Sequence, residues 1–170
     1  MRLKLFLALP SALLLTAALA PGEPAPKMSI GDIQQLHTPL PAPYRPGADA
    51  TTEVKAALER AKARGKPLLI DFGANWCLDC RVLAGVLEVP ELKAYVARNF
   101  ELVQVDVGRF DHNIQIAQGY TGEPLGAIPA VFVVDPATGK LRNRRDTLGL
   151  GDARVMKPQA IANWLAKWGQ

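Results

Sequence analysis

Apolar residues along this chain fall into runs of different rhythm, and each rhythm predicts an element. Leu5 to Leu19 form one short apolar stretch behind Arg2 and Lys4. Residues 21–50 have no such rhythm. Pro21, Pro24, Pro26, Pro39, Pro41, Pro43 and Pro46 rule out regular helix or an inner strand there. The stretch reads as a linker, or as an extended arm lying over the domain. Folded structure is expected from near Ala50. Val54, Ala57, Leu58 and Ala61 recur at helical spacing, with Thr51 or Thr52 as the cap and Gly65 as the stop.

Lys66 to Phe72 is a predicted strand, and Cys77 to Leu87 a helix with Val82, Leu83, Val86 and Leu87 apolar. Pro90 breaks that helix and opens the next at its first position, through Leu92, Tyr95 and Val96 to Asn99. Phe100 to Val107 is a second strand and Asp111 to Tyr120 a short helix. Ala130 to Val134 is wholly apolar, which predicts a central strand. The turn from Asp135 to Gly139 leads into an expected edge strand, Lys140 to Arg144. Pro158 to Trp168 closes the chain as an amphipathic helix with Ile161, Trp164, Leu165 and Trp168 on one face. The order α-β-α-β-α-β-β-α implies an α/β fold, a mixed central sheet with helices on both faces.

Composition narrows the class. A chain of 170 residues, 49% hydrophobic and 21% charged, suffices for one domain with a core. The net charge of +4 includes Arg2 and Lys4, so the remainder is mildly basic and does not argue for nucleic acid. Lys140, Arg142, Arg144 and Arg145 form a local basic cluster, read as a solvated edge or turn rather than a docking patch. Residues 1–20 have the pattern of a secretory signal. A charged start precedes the apolar stretch, and Ala18-Leu19-Ala20 is a small-x-small cleavage pattern. The stretch is short for a membrane span, though an uncleaved anchor is the alternative, and only that would bring membrane contact. Export, in a bacterium to the periplasm, would place the cysteines where disulfide chemistry occurs.

The chemistry lies in Trp76-Cys77-Leu78-Asp79-Cys80, which holds both cysteines of the chain. Two thiols three positions apart, at a helix start after a strand, form a redox arrangement. The helix N-terminus favours a thiolate at Cys77, making it the nucleophile, while Cys80 resolves the mixed disulfide. Two other readings compete. The pair could be a structural disulfide, though it closes too little chain for much entropic benefit. It could be half of a metal site with His37 and His112, whose positions follow no regular ligand spacing. Trp164 and Trp168 read as core residues of the last helix.

The segment Asp71-Phe72-x-Ala74-x-Trp76-Cys77-x-x-Cys80, the dipeptide Ile128-Pro129 before a strand, and the turn from Asp135 to Gly139 together resemble the thioredoxin superfamily. The resemblance covers residues 52–168 and leans towards its exported, disulfide-reductase-like branches. It implies a thioredoxin-like domain over residues 51–170 acting as a protein thiol–disulfide oxidoreductase. Cys77, Cys80 and Asp71 would be its catalytic residues, Asp71 as proton acceptor for Cys80. A cis-proline is implied at Pro129, with substrate held as an added strand against Ile128 and Pro129 and the site covered by Trp76. No cofactor beyond the Cys77–Cys80 disulfide and no metal is implied. The implied partners are client protein disulfides and an upstream thiol reductant protein.

Some positions depart from the family pattern. Leu78 and Asp79 separate the cysteines where thioredoxin has Gly-Pro; the Asp79 carboxylate disfavours a nearby thiolate and Arg81 favours it, so these three are the redox-tuning candidates. Asp79 leans the reading towards a reductant. Gln104 falls where thioredoxin pairs a lysine with the buried aspartate. The loop from Gly119 to Ala127, with Gly122 and Gly126, is longer than usual and flanks the site. The alternative function is a binding module of the same fold, serving copper delivery or protein assembly.

Overall fold

The computed structural model describes residues 22–169; the expected signal or anchor segment lies outside them. No helix among the described residues is long and apolar enough to cross a membrane. The elements in chain order are α1 (Ala50–Arg64), β1 (Leu68–Gly73), α2 (Leu78–Leu87), α3 (Pro90–Asn99), β2 (Glu101–Asp106), α4 (Ile114–Thr121), β3 (Ala130–Val134) and α5 (Pro158–Trp168), with 3-10 turns at Ile33–Gln35 and Ala153–Val155.

The strands form one mixed sheet in the order β2-β1-β3, with β1 parallel to β2 and antiparallel to β3. Alternate side chains of each strand enter opposite layers, as the pleat requires. Leu69, Val131 and Val133 pack with α2, α3 and α5. Leu68, Ile70, Phe72, Val103, Val105, Ala130 and Phe132 pack with α1 and α4. The sheet is therefore covered on both faces, and Asp71 reaches the interior from the middle of β1, the central strand.

Several sequence expectations change in detail. The α1 cap is Asp49, whose carboxylate accepts from the Thr52 backbone N–H at 3.0 Å, rather than Thr51 or Thr52. The all-apolar β3 is not the central strand. Its burial comes from helices on both faces and from the following segment along its far edge. That segment does not form the expected strand from Lys140 to Arg144. It makes a single bridge, Val134 to Leu141, and then turns. The reason is Asn143, whose side chain stands in for backbone by accepting from Val133 N at 2.9 Å and donating to Val131 O at 2.7 Å. The helix α4 runs to Thr121 and ends at Gly122 with φ +76°, so the loop before Pro129 starts at Gly122 rather than Gly119.

Residues 22–49 run as extended chain across the helices, fastened by their own polar groups. Glu23 bonds Arg98 and Asn99 of α3, and Tyr95 donates to its carbonyl. Gln159 of α5 bonds Met28 N and Pro26 O. Met28 and Leu36 are buried against the layer of α2, α3 and α5. Pro41 and Pro43 line a cavity of about 510 Å³ beside the outer edge of β2. The arm ends its traverse at Tyr44, which is 1% exposed.

Candidate functional site

The site forms where β1 stops and α2 starts. Cys77 is the α2 N-cap, so its backbone is extended while that of Cys80 is helical. That geometry puts their Cα atoms 5.3 Å apart and closes a Cys77–Cys80 disulfide. The Cys80 backbone N–H donates to Cys77 Sγ at 3.2 Å, one of the unpaired donors every helix start presents. A negative charge on that sulfur would be stabilised by this donor and the helix macrodipole. Cys77 is 7% exposed and Cys80 fully buried, so an incoming group reaches Cys77 first.

The other expected residues surround this pair. The Ile128–Pro129 peptide is cis, and Ile128 O lies 3.8 Å from Cys77 Sγ. Pro129 is buried, and Ile128 packs against the cysteines. Trp76 is 52% exposed; its indole N–H donates to Gly108 O at 2.7 Å, and Arg109 sits 5.5 Å from the ring centroid. Leu78 is exposed beside it. Asp79 faces the turn at Ala153–Val155, pairing with Arg154 Nε at 2.9 Å and accepting from its backbone N–H at 2.9 Å. Arg81 turns towards the arm, donating to Leu40 O at 2.7 Å and Pro41 O at 3.1 Å.

Asp71, on β1 six residues before Cys77, is 1% exposed and meets the cluster of the two cysteines through Tyr44. Its Oδ2 accepts from Tyr44 Oη at 2.8 Å and from Gln104 Nε2 at 3.3 Å, and β1–β2 register sets Gln104 directly beside it. Its Oδ1 is buried without a hydrogen-bond partner among the described residues. Burial pushes this carboxyl from an ordinary 3.8 up to about 6, against the lowering effect of the Tyr44 and Gln104 hydrogen bonds. A group poised there takes or gives a proton near neutral pH.

Tyr44 was missed in the sequence. It belongs to a cluster with Cys77 and Cys80. Its backbone N–H donates to Asn75 Oδ1 at 3.1 Å, while Asn75 Nδ2 donates to Tyr44 O at 2.6 Å. Gly73 makes room for the ring: a Cβ there would stand 2.3 Å from Tyr44 Cζ. A glycine inside a strand signals close approach by another group, and Gly73 was that signal. The histidines are placed elsewhere. His37 is exposed on the arm, and His112 bonds Asp106 and Asp111 in the turn after β2. Among the described residues, no group of three or more His, Cys, Asp or Glu side chains is arranged to hold a metal ion.

Comparison with known proteins matches residues 49–136 to a family described as thioredoxin-like. A disulfide isomerase from Xylella fastidiosa Temecula1 superposes with a TM-score of 0.71 at 43% identity, covering 77% of this chain and 99% of that one. A thiol:disulfide interchange protein, DsbD 1 of Pseudomonas aeruginosa, is 31% identical over 90 residues, 51% of this chain and 15% of that protein. Tryparedoxin of Trypanosoma brucei brucei is 33% identical over 89 residues, 52% of this chain and 60% of that protein. The chain thus spans less than two thirds of either of these last two relatives.

Proposed function

The chain belongs to the thioredoxin-like family, and from that premise we propose that it is an exported thiol–disulfide oxidoreductase that reduces disulfides in client proteins. The single observation that carries this reading is the Cys77–Cys80 disulfide at a helix N-terminus, one sulfur reachable and the other buried. The relatives, named as a disulfide isomerase, a thiol:disulfide interchange protein and a tryparedoxin, support it.

In the reduced protein the Cys77 thiolate attacks one sulfur of a client disulfide. A Cys77–client bond forms, the client S–S bond breaks, and the departing client sulfur takes a proton from solvent. Backbone beside Ile128 and Pro129, next to Cys77 Sγ, holds the client as an added strand. Trp76 and Leu78 offer exposed apolar surface around it. The Cys80 thiol then gives its proton to the Asp71 carboxylate and attacks Cys77 Sγ. The Cys77–Cys80 bond forms as the Cys77–client bond breaks, so the client gains two electrons and the pair loses two. A dithiol reductant protein restores the pair by the reverse exchange.

Export rests on the pattern of residues 2–20. The reducing direction rests on Asp79, a carboxylate in the first turn of α2 that opposes a thiolate at Cys77. The test is Cys80→Ser, which stalls the cycle after the first exchange. Mass spectrometry should find a client protein disulfide-bonded to Cys77. If Cys80→Ser traps nothing and the wild-type pair fails to equilibrate with dithiothreitol or glutathione, the protein is a binding module. A couple near about −270 mV fits a reductant, and one near about −120 mV reverses the direction proposed.

A further inference from the structure

Asp71 is a buried carboxylate with no cation paired to it among the described residues, so its alignment must come from neutral donors. The two that reach it both act on Oδ2, and the shorter bond comes from outside the α/β domain, from an arm residue 27 positions upstream. That arm residue is held to an unusual degree. Asn75 grips its backbone from both sides, Gly73 vacates the space its ring fills, and the side chain packs in one buried cluster with the two cysteines. Packing alone would be served by phenylalanine. The hydroxyl is buried with the ring and has one use, donation to Asp71.

We propose that Tyr44 is a positioning residue: the arm delivers its hydroxyl to Oδ2 of Asp71, fixing the carboxylate so that Oδ1 is the atom that receives the Cys80 proton. This rests on the oxidoreductase reading above, in which Asp71 is the proton acceptor. The hydroxyl acts in two ways. It locks the carboxylate's rotation, and it stabilises the ionised form against burial, keeping Asp71 able to accept at neutral pH. Around this pair, β2 contributes the uncharged Gln104 and also Asp106, whose charge acts on Tyr44, and α2 contributes the two cysteines. Burial and the Asp71 charge hold the Tyr44 phenol far above its usual range, so it remains a donor throughout. The arm is thereby part of the reaction centre, and an α/β domain cut at Ala50 would lack a component of its relay.

The experiment follows the resolving step by mixing reduced full-length protein with oxidised glutathione between pH 5 and 9 and measuring release of the second glutathione thiol. Tyr44→Phe keeps the ring and removes the hydroxyl. Its acid limb should move up by about one pH unit, slowing the step about fivefold at pH 6 and less than about twofold at pH 9. In an Asp71→Asn background the same change should do nothing further. A uniform slowing of Tyr44→Phe at every pH, or no slowing, overturns the inference and leaves the relay standing. An unchanged pH profile for Asp71→Asn overturns the relay itself, and the inference with it. A second measurement needs no variant. In the unmutated protein the Tyr44 ring-carbon NMR shift should titrate with the same midpoint as the Asp71 carboxyl, and separate midpoints would overturn the pairing.

Discussion

Replacing Asp71 with asparagine should make the oxidised protein more stable at neutral pH while doing far less in acid. Asp71 is fully buried, and its folded value of about 6 stands about two units above an ordinary 3.8. The folded state therefore holds this proton more tightly than the unfolded chain. The stability Asp71 contributes is fully present below the unfolded value, near pH 3.8, and is lost as pH rises through about 6. At about 1.4 kcal/mol per unit the loss comes to about 3 kcal/mol. Asparagine has nearly the same shape and no proton to lose. The stability difference between Asp71→Asn and wild type should accordingly grow by about 3 kcal/mol in favour of the variant between pH 3 and pH 8. Urea unfolding of both oxidised proteins at half-unit pH steps measures it, and taking the difference removes every titrating group the two share. Any constant offset, from the asparagine amide meeting Tyr44 and Gln104 differently, leaves the slope intact. A flat difference, or one that shrinks as pH rises, would refute the reasoning that burial rather than hydrogen bonding dominates at Asp71.

Two further outcomes are expected. Leu36→Ala removes a buried arm side chain whose methyls lie 3.3 and 3.7 Å from the Cβ position of Gly85 on α2, so stability should fall by about 2–4 kcal/mol in urea titrations. Trypsin should then cut the arm at Lys27 before the domain unfolds, and intact arms at protease levels that digest the domain would contradict it. Arg154→Ala strips Asp79 of its cation, so the Cys77 thiolate fraction at pH 7 should fall. Iodoacetamide should alkylate Cys77 about two- to fourfold more slowly, and unchanged kinetics would mean Asp79 does not reach the sulfur electrostatically.

What the sequence shows and what it hides divide along the reach of the interactions. The helices α3 and α5 both open on a proline at their first position, and their predicted spans match the observed ones because that signal is local. The start of α1 was misjudged by two or three residues because Asp49, Thr51 and Thr52 are all competent caps and only backbone angles select one. The strand expected from Lys140 to Arg144 failed for a subtler reason. A side-chain amide, Asn143, completes the edge of β3, and periodicity has no means to announce that. Cys77, Cys80 and Asp71 were readable because a strand–turn–helix fixes their spacing. Gln104 was legible only through the family resemblance, and the β1–β2 register sets it beside Asp71. Tyr44 was not readable, since nothing within the arm points to an aspartate 27 residues away. The hint lay at the other end, in an unpaired aspartate and a glycine placed where a strand wants a side chain.

The prolines of the arm have a consequence for the behaviour of the protein in crowded, concentrated solution. The strand β2 lies at the margin of the sheet, its outer side unpaired by any strand among the described residues, a template for joining another molecule's strand. Pro41 and Pro43 border that margin, and a proline has no amide hydrogen to extend a ladder. The segment that carries Tyr44 to Asp71 thus also sets residues that cannot extend a ladder beside that edge.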